Sequence, residues 1–102
     1  MNQNQIDKLL NTFKNNKEII ALYTLSNMQN LYGQKIEEKV LDDIKNIIQK
    51  FDQFYNVDYL AFDINNQNTV ITFRYADDIV IIIGLLSMKE PVIRLSIKSL
   101  TT

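Results

Sequence analysis

The stretch Ile79–Leu86 constrains the fold more than any other part of this sequence. It reads Ile-Val-Ile-Ile-Ile-Gly-Leu-Leu and carries no polar side chain. A strand that is wet on one face alternates apolar and polar residues, whereas a strand covered on both faces reads as a continuous apolar run. The run is too short for a membrane-spanning helix, which needs about 20 apolar residues, and its β-branched content favours a strand. The stretch therefore predicts a central strand with helices packed on both faces of its sheet.

The composition of the 102-residue chain restricts the chemistry available to it. Cysteine and histidine are absent, which excludes disulfides and removes the usual general base and the usual zinc ligand. With two glycines, neither of the common Gly-rich phosphate-binding motifs can be written. We therefore predict no catalytic residue, no metal site and no cofactor. The adjacent carboxylates Asp42–Asp43 and Asp77–Asp78 are interpreted as solvated faces and turns.

Length and charge bound the organisation of the chain and its partners. A chain of this size predicts one domain, which can bury roughly 65% of its unfolded surface. A formal net charge of -1 argues against nucleic acid as a partner, because phosphate binding requires a basic stripe. The segment Met1–Gln5 has neither the charged nor the apolar region of a signal peptide. We expect a cytoplasmic protein with no integral membrane segment.

Other stretches predict the remaining strands. Ile19–Leu25 is a second nearly continuous apolar run and predicts another central strand, and Leu31–Tyr32 is expected to return as a very short strand. Val57–Ile64 alternates, with Leu, Phe and Ile on one face and Tyr, Ala and Asp on the other. The loop Asn65–Asn68, in which Asn supplies positive φ, leads into an alternating strand over Thr69–Tyr75.

Two segments have a helical period. Asn4–Asn15 places four apolar residues along one stripe of a short helix, and its few lysines argue against a membrane-surface anchor. Gln34–Tyr55 predicts a helix about 30 Å long with an apolar arc of roughly 140°. An arc this wide fits two arrangements. It packs entirely on its own sheet, or its rim also meets a second copy of the chain.

The C-terminal segment fits two structures. Residues 93–98 alternate apolar and polar as in a strand, whereas Ile93, Ile97 and Leu100 share one face of a helix. Ser87–Glu90 has the spacing of a capping box. The central strands need cover on both faces, and the short first helix alone is insufficient. We therefore predict a terminal helix over Met88–Leu100.

The order of these elements resembles that of the Roadblock (dynein light chain) family of the Roadblock/longin superfamily. The resemblance covers nearly all of the chain, so 1–102 is interpreted as a single Roadblock-like domain. It implies a three-layer α/β/α fold of the α+β type. The five-stranded antiparallel sheet would have the order 2-1-5-4-3, with the long helix on one face and the two terminal helices on the other. The segments that carry the resemblance are Ile19–Leu25, Lys35–Tyr55, the meander ending in Ile79–Leu86, and Met88–Leu100.

The chain departs from the family pattern in two places. Family members usually have an acidic-glycine turn after the first strand, where this chain has Asn27–Asn30. The second strand, Leu31–Tyr32, is also unusually short.

The resemblance also implies partners. Members typically dimerise by setting their long helices antiparallel and joining their third strands edge to edge, and the dimer serves small Ras-like GTPases or larger complexes. For this chain it implies a non-enzymatic scaffold, either a homodimer or a heterodimer with a related Roadblock chain. The interface residues expected on the long helix and third strand are Ile44, Ile47, Phe51, Tyr55, Tyr59, Ala61 and Asp63.

Two other functions compete with this interpretation. A small-ligand sensor of the profilin-like or PAS-like type would need convergent polar groups in an apolar pocket, and the central strands are aliphatic. An enzyme would need a base and an electrophile, and no spacing in the sequence identifies either. Four basic residues late in the chain suggest a basic patch or ordinary solubilising charge. They are Arg74, Lys89, Arg94 and Lys98.

Overall fold

A computed structural model describes residues 1–55 and 58–101, and the side chains of Phe54 and Tyr55 also lie outside the description. These residues form three helices and five strands. Their order along the chain is helix, two strands, helix, three strands, helix, as the sequence predicts. The helices are α1 (Gln3–Phe13), α2 (Glu38–Tyr55) and α3 (Glu90–Thr101). The strands are β1 (Ile19–Thr24), β2 (Asn30–Gly33), β3 (Tyr59–Ile64), β4 (Asn68–Tyr75) and β5 (Asp78–Leu85).

The strands form one antiparallel sheet of order β2-β1-β5-β4-β3, which confirms the predicted topology. Two clusters of buried residues cover its two faces. One joins the sheet to α1 and α3 through Leu9, Phe13 and Ile93. The other joins it to α2 through Ile44 and Ile48. The long helix therefore lies on one face and the two terminal helices on the other, as predicted.

The centre of β5 is buried on both faces. Val80 and Ile82 face α1 and α3, Ile81 and Ile83 face α2, and none is more than 1% exposed. The prediction that the apolar run stays in the sheet through Leu86 is wrong. The strand ends at Leu85, whose carbonyl accepts a hydrogen bond from Met88 in a turn. Leu86 is consequently 48% exposed.

The start of α2 differs from the expectation that the helix begins at Gln34 or Lys35. The amide N–H of Ile36 donates to the hydroxyl of Tyr23 at 2.9 Å, and the side chain of Asn30 donates to the carbonyl of Gln34 at 3.1 Å. These tertiary hydrogen bonds engage the backbone that a helix would otherwise use. The helix begins at Glu38, and Glu37 accepts its first backbone bond, from Leu41.

The C-terminal segment is a helix, as layer counting predicts, and its buried face is Ile93, Ile97 and Leu100. The capping box expected at Ser87–Glu90 is not formed, because α3 begins at Glu90 and the carbonyl before it, from Lys89, accepts the first amides. A capping box does occur at α1. There the side chain of Asn2 accepts from the amide of Gln5, and the Gln5 side chain accepts from the amide of Asn2.

The β3–β4 hairpin uses asparagine in the way that the sequence predicts. Asn65 and Asn66 have φ of 54° and 52°, and the amide of Gln67 donates to the carbonyl of Ile64. In the turn after β1, however, the residue with positive φ is Met28 rather than an asparagine. The described part of β3 begins at Tyr59, and Val57, the first residue of the predicted strand, lies outside the described residues.

Candidate interaction surface

The outer edge of β3 carries backbone groups that another strand can pair with. The amide of Arg74 in β4 donates to the carbonyl of Asp58 at 3.0 Å. In an antiparallel pair, hydrogen-bonded and non-hydrogen-bonded residues alternate. Leu60 and Phe62 therefore bond to β4, and Tyr59, Ala61 and Asp63 direct their backbone groups away from it.

The backbone groups that point outward are open to a partner. Among residues 1–55 and 58–101, no strand pairs with the outer side of β3, which is the last strand of the sheet. An unpaired row of amides and carbonyls on a regular strand is a template for another strand. The alternation places these groups on the residues Tyr59, Ala61 and Asp63, which are the β3 residues that the Roadblock resemblance implies for an interface.

Apolar side chains lie beside this edge on the α2 face. Leu60 and Phe62 are half-buried, and Phe51 of α2 is 41% exposed. Phe51 and Leu60 line one small cavity between α2 and the sheet. We call Phe51, Leu60 and Phe62 the edge strip. Ile47, four residues before Phe51 on α2, is also half-buried.

The sequence interpretation missed Leu60 and Phe62 as interface candidates. Their alternation with Tyr59, Ala61 and Asp63 marked them as core residues, and Ile64 on the same face is indeed only 7% exposed. Leu60 and Phe62 are less covered because β3 is the last strand and α2 covers it incompletely. The signal in the sequence was the combination of an apolar face with an expected edge position.

On the opposite face, Tyr59 is tied to α3. Its hydroxyl donates to the carboxylate of Glu90, and the guanidinium carbon of Arg94 lies 4.9 Å from the centre of its ring. Arg94 also pairs with Glu90 at 2.7 Å. Burial, followed by the hydrogen bond to Glu90, raises the pKa of Tyr59 to about 12. The side chain of Tyr59 therefore anchors α3 to the edge strand, while its backbone groups face outward.

The other predicted interface residues are distributed differently. Ile44 is fully buried against the sheet, so it holds α2 in place and is not on the surface of the chain. Ala61 and Asp63 are exposed, and Asp63 accepts a hydrogen bond from the hydroxyl of Thr69 at 2.8 Å. Tyr55 is the last residue of α2, and its side chain lies outside the described residues.

An ion-pair cluster fixes the start of β3 against α2. Arg74 pairs with Asp52 of α2, and its Nε lies 2.9 Å from Asp58 just before β3. The four basic residues considered as a patch therefore do not come together. Arg74 lies on the α2 face, whereas Arg94 and Lys98 belong to α3 on the other face.

Of the adjacent carboxylates in the sequence, Asp78 has a structural role. Asp78 accepts hydrogen bonds from the amide and hydroxyl of Ser26 and from the amide of Ile79. It therefore ties the turn after β1 to the start of β5. Asp42 and Asp43 are exposed on α2. In the part of the chain that the structure describes, no three acidic side chains converge as metal ligands would.

The space between α2 and the sheet bears on the sensor interpretation. The cavity lined by Ile48, Phe51, Leu60 and Thr72 has a volume of about 10 Å³. This is room for about one water molecule, whereas ligand pockets measure about 300–1,000 Å³. The helix–sheet space is therefore closed beside the edge strip. A more open cavity of about 310 Å³ lies between Gln49 and Asp52 of α2 and the sheet residues Arg74, Asp78 and Ile79.

No protein-family model matches the sequence, and no curated protein matches it. Among the described helices, none combines the length and the apolar content required to cross a bilayer.

Proposed function

We propose that this chain is a non-enzymatic scaffold that self-associates through the β3 edge and the edge strip. As a dimer it would bind or regulate a small Ras-like GTPase or assemble a larger complex. The observation that carries the proposal is the coincidence of outward-facing backbone groups on β3 with half-covered apolar side chains beside them. The first supplies hydrogen bonds to a partner strand, and the second supplies apolar surface to bury.

The length, regularity and composition of β3 favour pairing with a strand from a partner. Proteins commonly block exposed edges with lysine, proline, bulges or very short strands. β3 has six residues, pairs with β4 without a register shift, and contains neither lysine nor proline. Its one charged residue is Asp63. An edge of this kind favours addition of a strand from a partner.

Two arguments favour a second copy of this chain as the source of the partner strand: the contact would be self-complementary, and the Roadblock resemblance described above implies a dimer. A second copy brings an identical edge and an identical edge strip, which makes the contact self-complementary, as in two-fold dimers. A related chain with the same edge would form the heterodimer. The Ras-like GTPase and the cytoplasmic location rest on the Roadblock resemblance and on the composition, and fold by itself does not fix function.

The decisive experiment compares two proline substitutions in β3. In Ala61→Pro the lost amide is one that points outward, so pairing with β4 is retained. In Phe62→Pro the lost amide bonds to β4, so the chain itself should lose about 1–3 kcal/mol of stability. We expect light scattering to give about twice the 11.9 kDa chain mass for the parent and the chain mass for Ala61→Pro. The melting temperature of Ala61→Pro should fall only by the stabilisation that dimerisation supplies, and should stay above that of Phe62→Pro.

A parent protein that stays monomeric at micromolar concentration would contradict self-association. So would an Ala61→Pro variant that dimerises as tightly as the parent. The GTPase part is tested separately, by gel filtration of the parent dimer with purified Ras-like GTPases loaded with GDP or GTP. If no complex co-elutes with any of them, that part of the proposal fails and the scaffold part stands.

A further inference from the structure

We propose that a second copy adds its β3 in one antiparallel register, centred on Ala61, and that Arg94 of each copy then pairs with Asp63 of the other. This inference rests on the proposed self-association. It adds the register of the contact and the ion pair that selects it.

The alternation along β3 limits the possible registers. Tyr59, Ala61 and Asp63 direct their backbone groups outward, so these residues exchange hydrogen bonds with a neighbouring strand. Centring on Ala61 places Ala61 opposite itself and Tyr59 opposite Asp63 of the other copy. All three outward residues of each copy are then paired with one another. Centring on Leu60 or on Phe62 pairs only two of the three with one another.

The same register brings the edge strips together. The two-fold axis is perpendicular to the sheet, so both α2 helices lie on one face. Leu60 then stands opposite Phe62 of the other copy in a non-hydrogen-bonded pair, whose Cα atoms are about 4.5 Å apart. Side chains are closest in pairs of this type. The half-buried Leu60 and Phe62 are thereby covered, with a Phe51 on each side.

On the opposite face the register places a second carboxylate beside Arg94, which already pairs with Glu90 of its own copy. Arg94 is 64% exposed at its side chain and lies over the ring of Tyr59. Asp63 of the same copy is four residues farther along the strand, about 13 Å away. Asp63 of the other copy stands directly across from Tyr59, with Cβ atoms about 5 Å apart. The hydrogen bond from Thr69 holds the Asp63 carboxylate in place, and Arg94 is the cation beside it.

Charge also disfavours a competing register. Centring on Asp63 would place two carboxylates directly opposite each other, which destabilises a strand pair. It would also move Asp63 away from Tyr59 and therefore from Arg94. The register centred on Ala61 is the one that combines full pairing, apolar cover and opposite charges.

Cysteine cross-linking measures the register directly, because the chain has no cysteine of its own. Residues opposite each other in a hydrogen-bonded pair have Cα atoms about 5.5 Å apart, within the range for a disulfide. We expect Ala61→Cys to form a disulfide-linked dimer under mild oxidation. Leu60→Cys and Phe62→Cys are the matched controls, because each would self-pair only if the register shifted. They should cross-link at least about tenfold more slowly, since diagonal Cα atoms are about 7–8 Å apart.

Each outcome has a separate meaning. If the parent dimerises and either control cross-links faster than Ala61→Cys, the register is overturned and the proposed function stands. If the parent dimerises and none of the three cross-links, the register centred on Ala61 is excluded and this inference fails. If the parent does not dimerise, the proposed function fails with it. Circular dichroism of the reduced variants establishes that each is folded.

Charge reversal tests the ion pair by a double-mutant cycle. We expect Asp63→Arg and Arg94→Glu each to raise the dimer dissociation constant by about tenfold. The double variant should recover part of that loss, because the charges across the contact are exchanged while the pair of Arg94 with Glu90 stays broken. Lys8→Glu on α1 makes the same change of charge at an exposed site and should leave the constant within about twofold. Additive effects of the two reversals would exclude the pair between Arg94 and Asp63.

Discussion

At one edge of the sheet, β2 is four residues long, and at the other, β3 is six residues long and regular. The pairing of β2 with β1 shifts register between Leu22 and Tyr23, whereas β3 pairs with β4 without a shift. The end of β2 is also tied to the residue that follows helix α1, because the hydroxyl of Tyr32 donates to the carbonyl of Lys14. The two edges of one sheet therefore differ in their readiness to accept another strand.

The cause of the difference is local. Gly33 at the end of β2 has φ of 83°, and a Cβ there would stand 2.1 Å from the carbonyl oxygen of Ile20. The chain turns sharply at this point and leaves the sheet. β3 has no such turn within it, and its alternation continues from Tyr59 to Ile64. A short, bulged edge that ends in a sharp turn discourages pairing, and a straight, regular edge favours it.

The largest effect is expected from a substitution that prevents folding and therefore removes both edges of the sheet. Ile82 in β5 is fully buried between the sheet and the terminal helices. Ile82→Asp should cost more than about 4 kcal/mol and prevent folding, because it buries an unpaired charge. Leu95→Asp, at a site 69% exposed, is the matched control and should cost less than about 1 kcal/mol. Urea denaturation followed by circular dichroism measures both, and an Ile82→Asp protein as stable as the parent would contradict the burial of β5.

A smaller effect is expected at the closed edge alone. Gly33→Ala should lower the free energy of unfolding by about 2 kcal/mol or more, because the positive φ is costly and the clash is with backbone. Gln34→Ala, at the next exposed residue, should change it by less than about 0.5 kcal/mol. The dimer dissociation constant, measured where the variant is folded, should stay unchanged. Weaker dimerisation in Gly33→Ala would show that the β2 edge takes part in the contact.

The smallest expected effect is a pH dependence at the open edge. The raised pKa of Tyr59, about 12, means that the folded chain keeps the phenol proton between pH 10 and 12, where the unfolded chain loses it. The stabilisation is therefore complete below about pH 10 and is lost as the pH rises through the folded pKa. After allowance for solvent screening it is about 1 kcal/mol.

The measurement compares denaturation at about pH 8 and about pH 11 for the parent and Tyr59→Phe. The variant should lose less stability between the two conditions, because phenylalanine has no proton to release. Equal losses for the parent and Tyr59→Phe would mean that Glu90 and burial do not hold the Tyr59 proton.

Much of the fold could be predicted from the sequence because its signals are local. The unbroken apolar run of β5 required cover on both faces, and the alternation of β3 and β4 set which side chains share a face of the sheet. The exposed end at Leu86 could not be predicted in this way. Periodicity shows that a residue is apolar, but it does not show where a turn removes it from the sheet.

The residues of the candidate surface could also be predicted only in part. The sequence and its resemblance named Ala61 and Asp63, which are exposed on β3, but also Ile44, which is buried in the chain. The wide apolar arc of α2 does not determine which of its residues are covered by the sheet. That depends on the position of the helix across the sheet, which is set by contacts between distant residues.

The sequence by itself determined the kinds of elements, their order and the faces that they bury, because helical and strand periods are written in neighbouring residues. Tertiary structure alone decided three things. Tyr23 fixes the start of α2, the bond between Arg74 and Asp58 sets which backbone groups of β3 point outward, and Glu90 with Arg94 captures Tyr59. Each joins residues that are distant along the chain, so folding must bring them together before the contact exists.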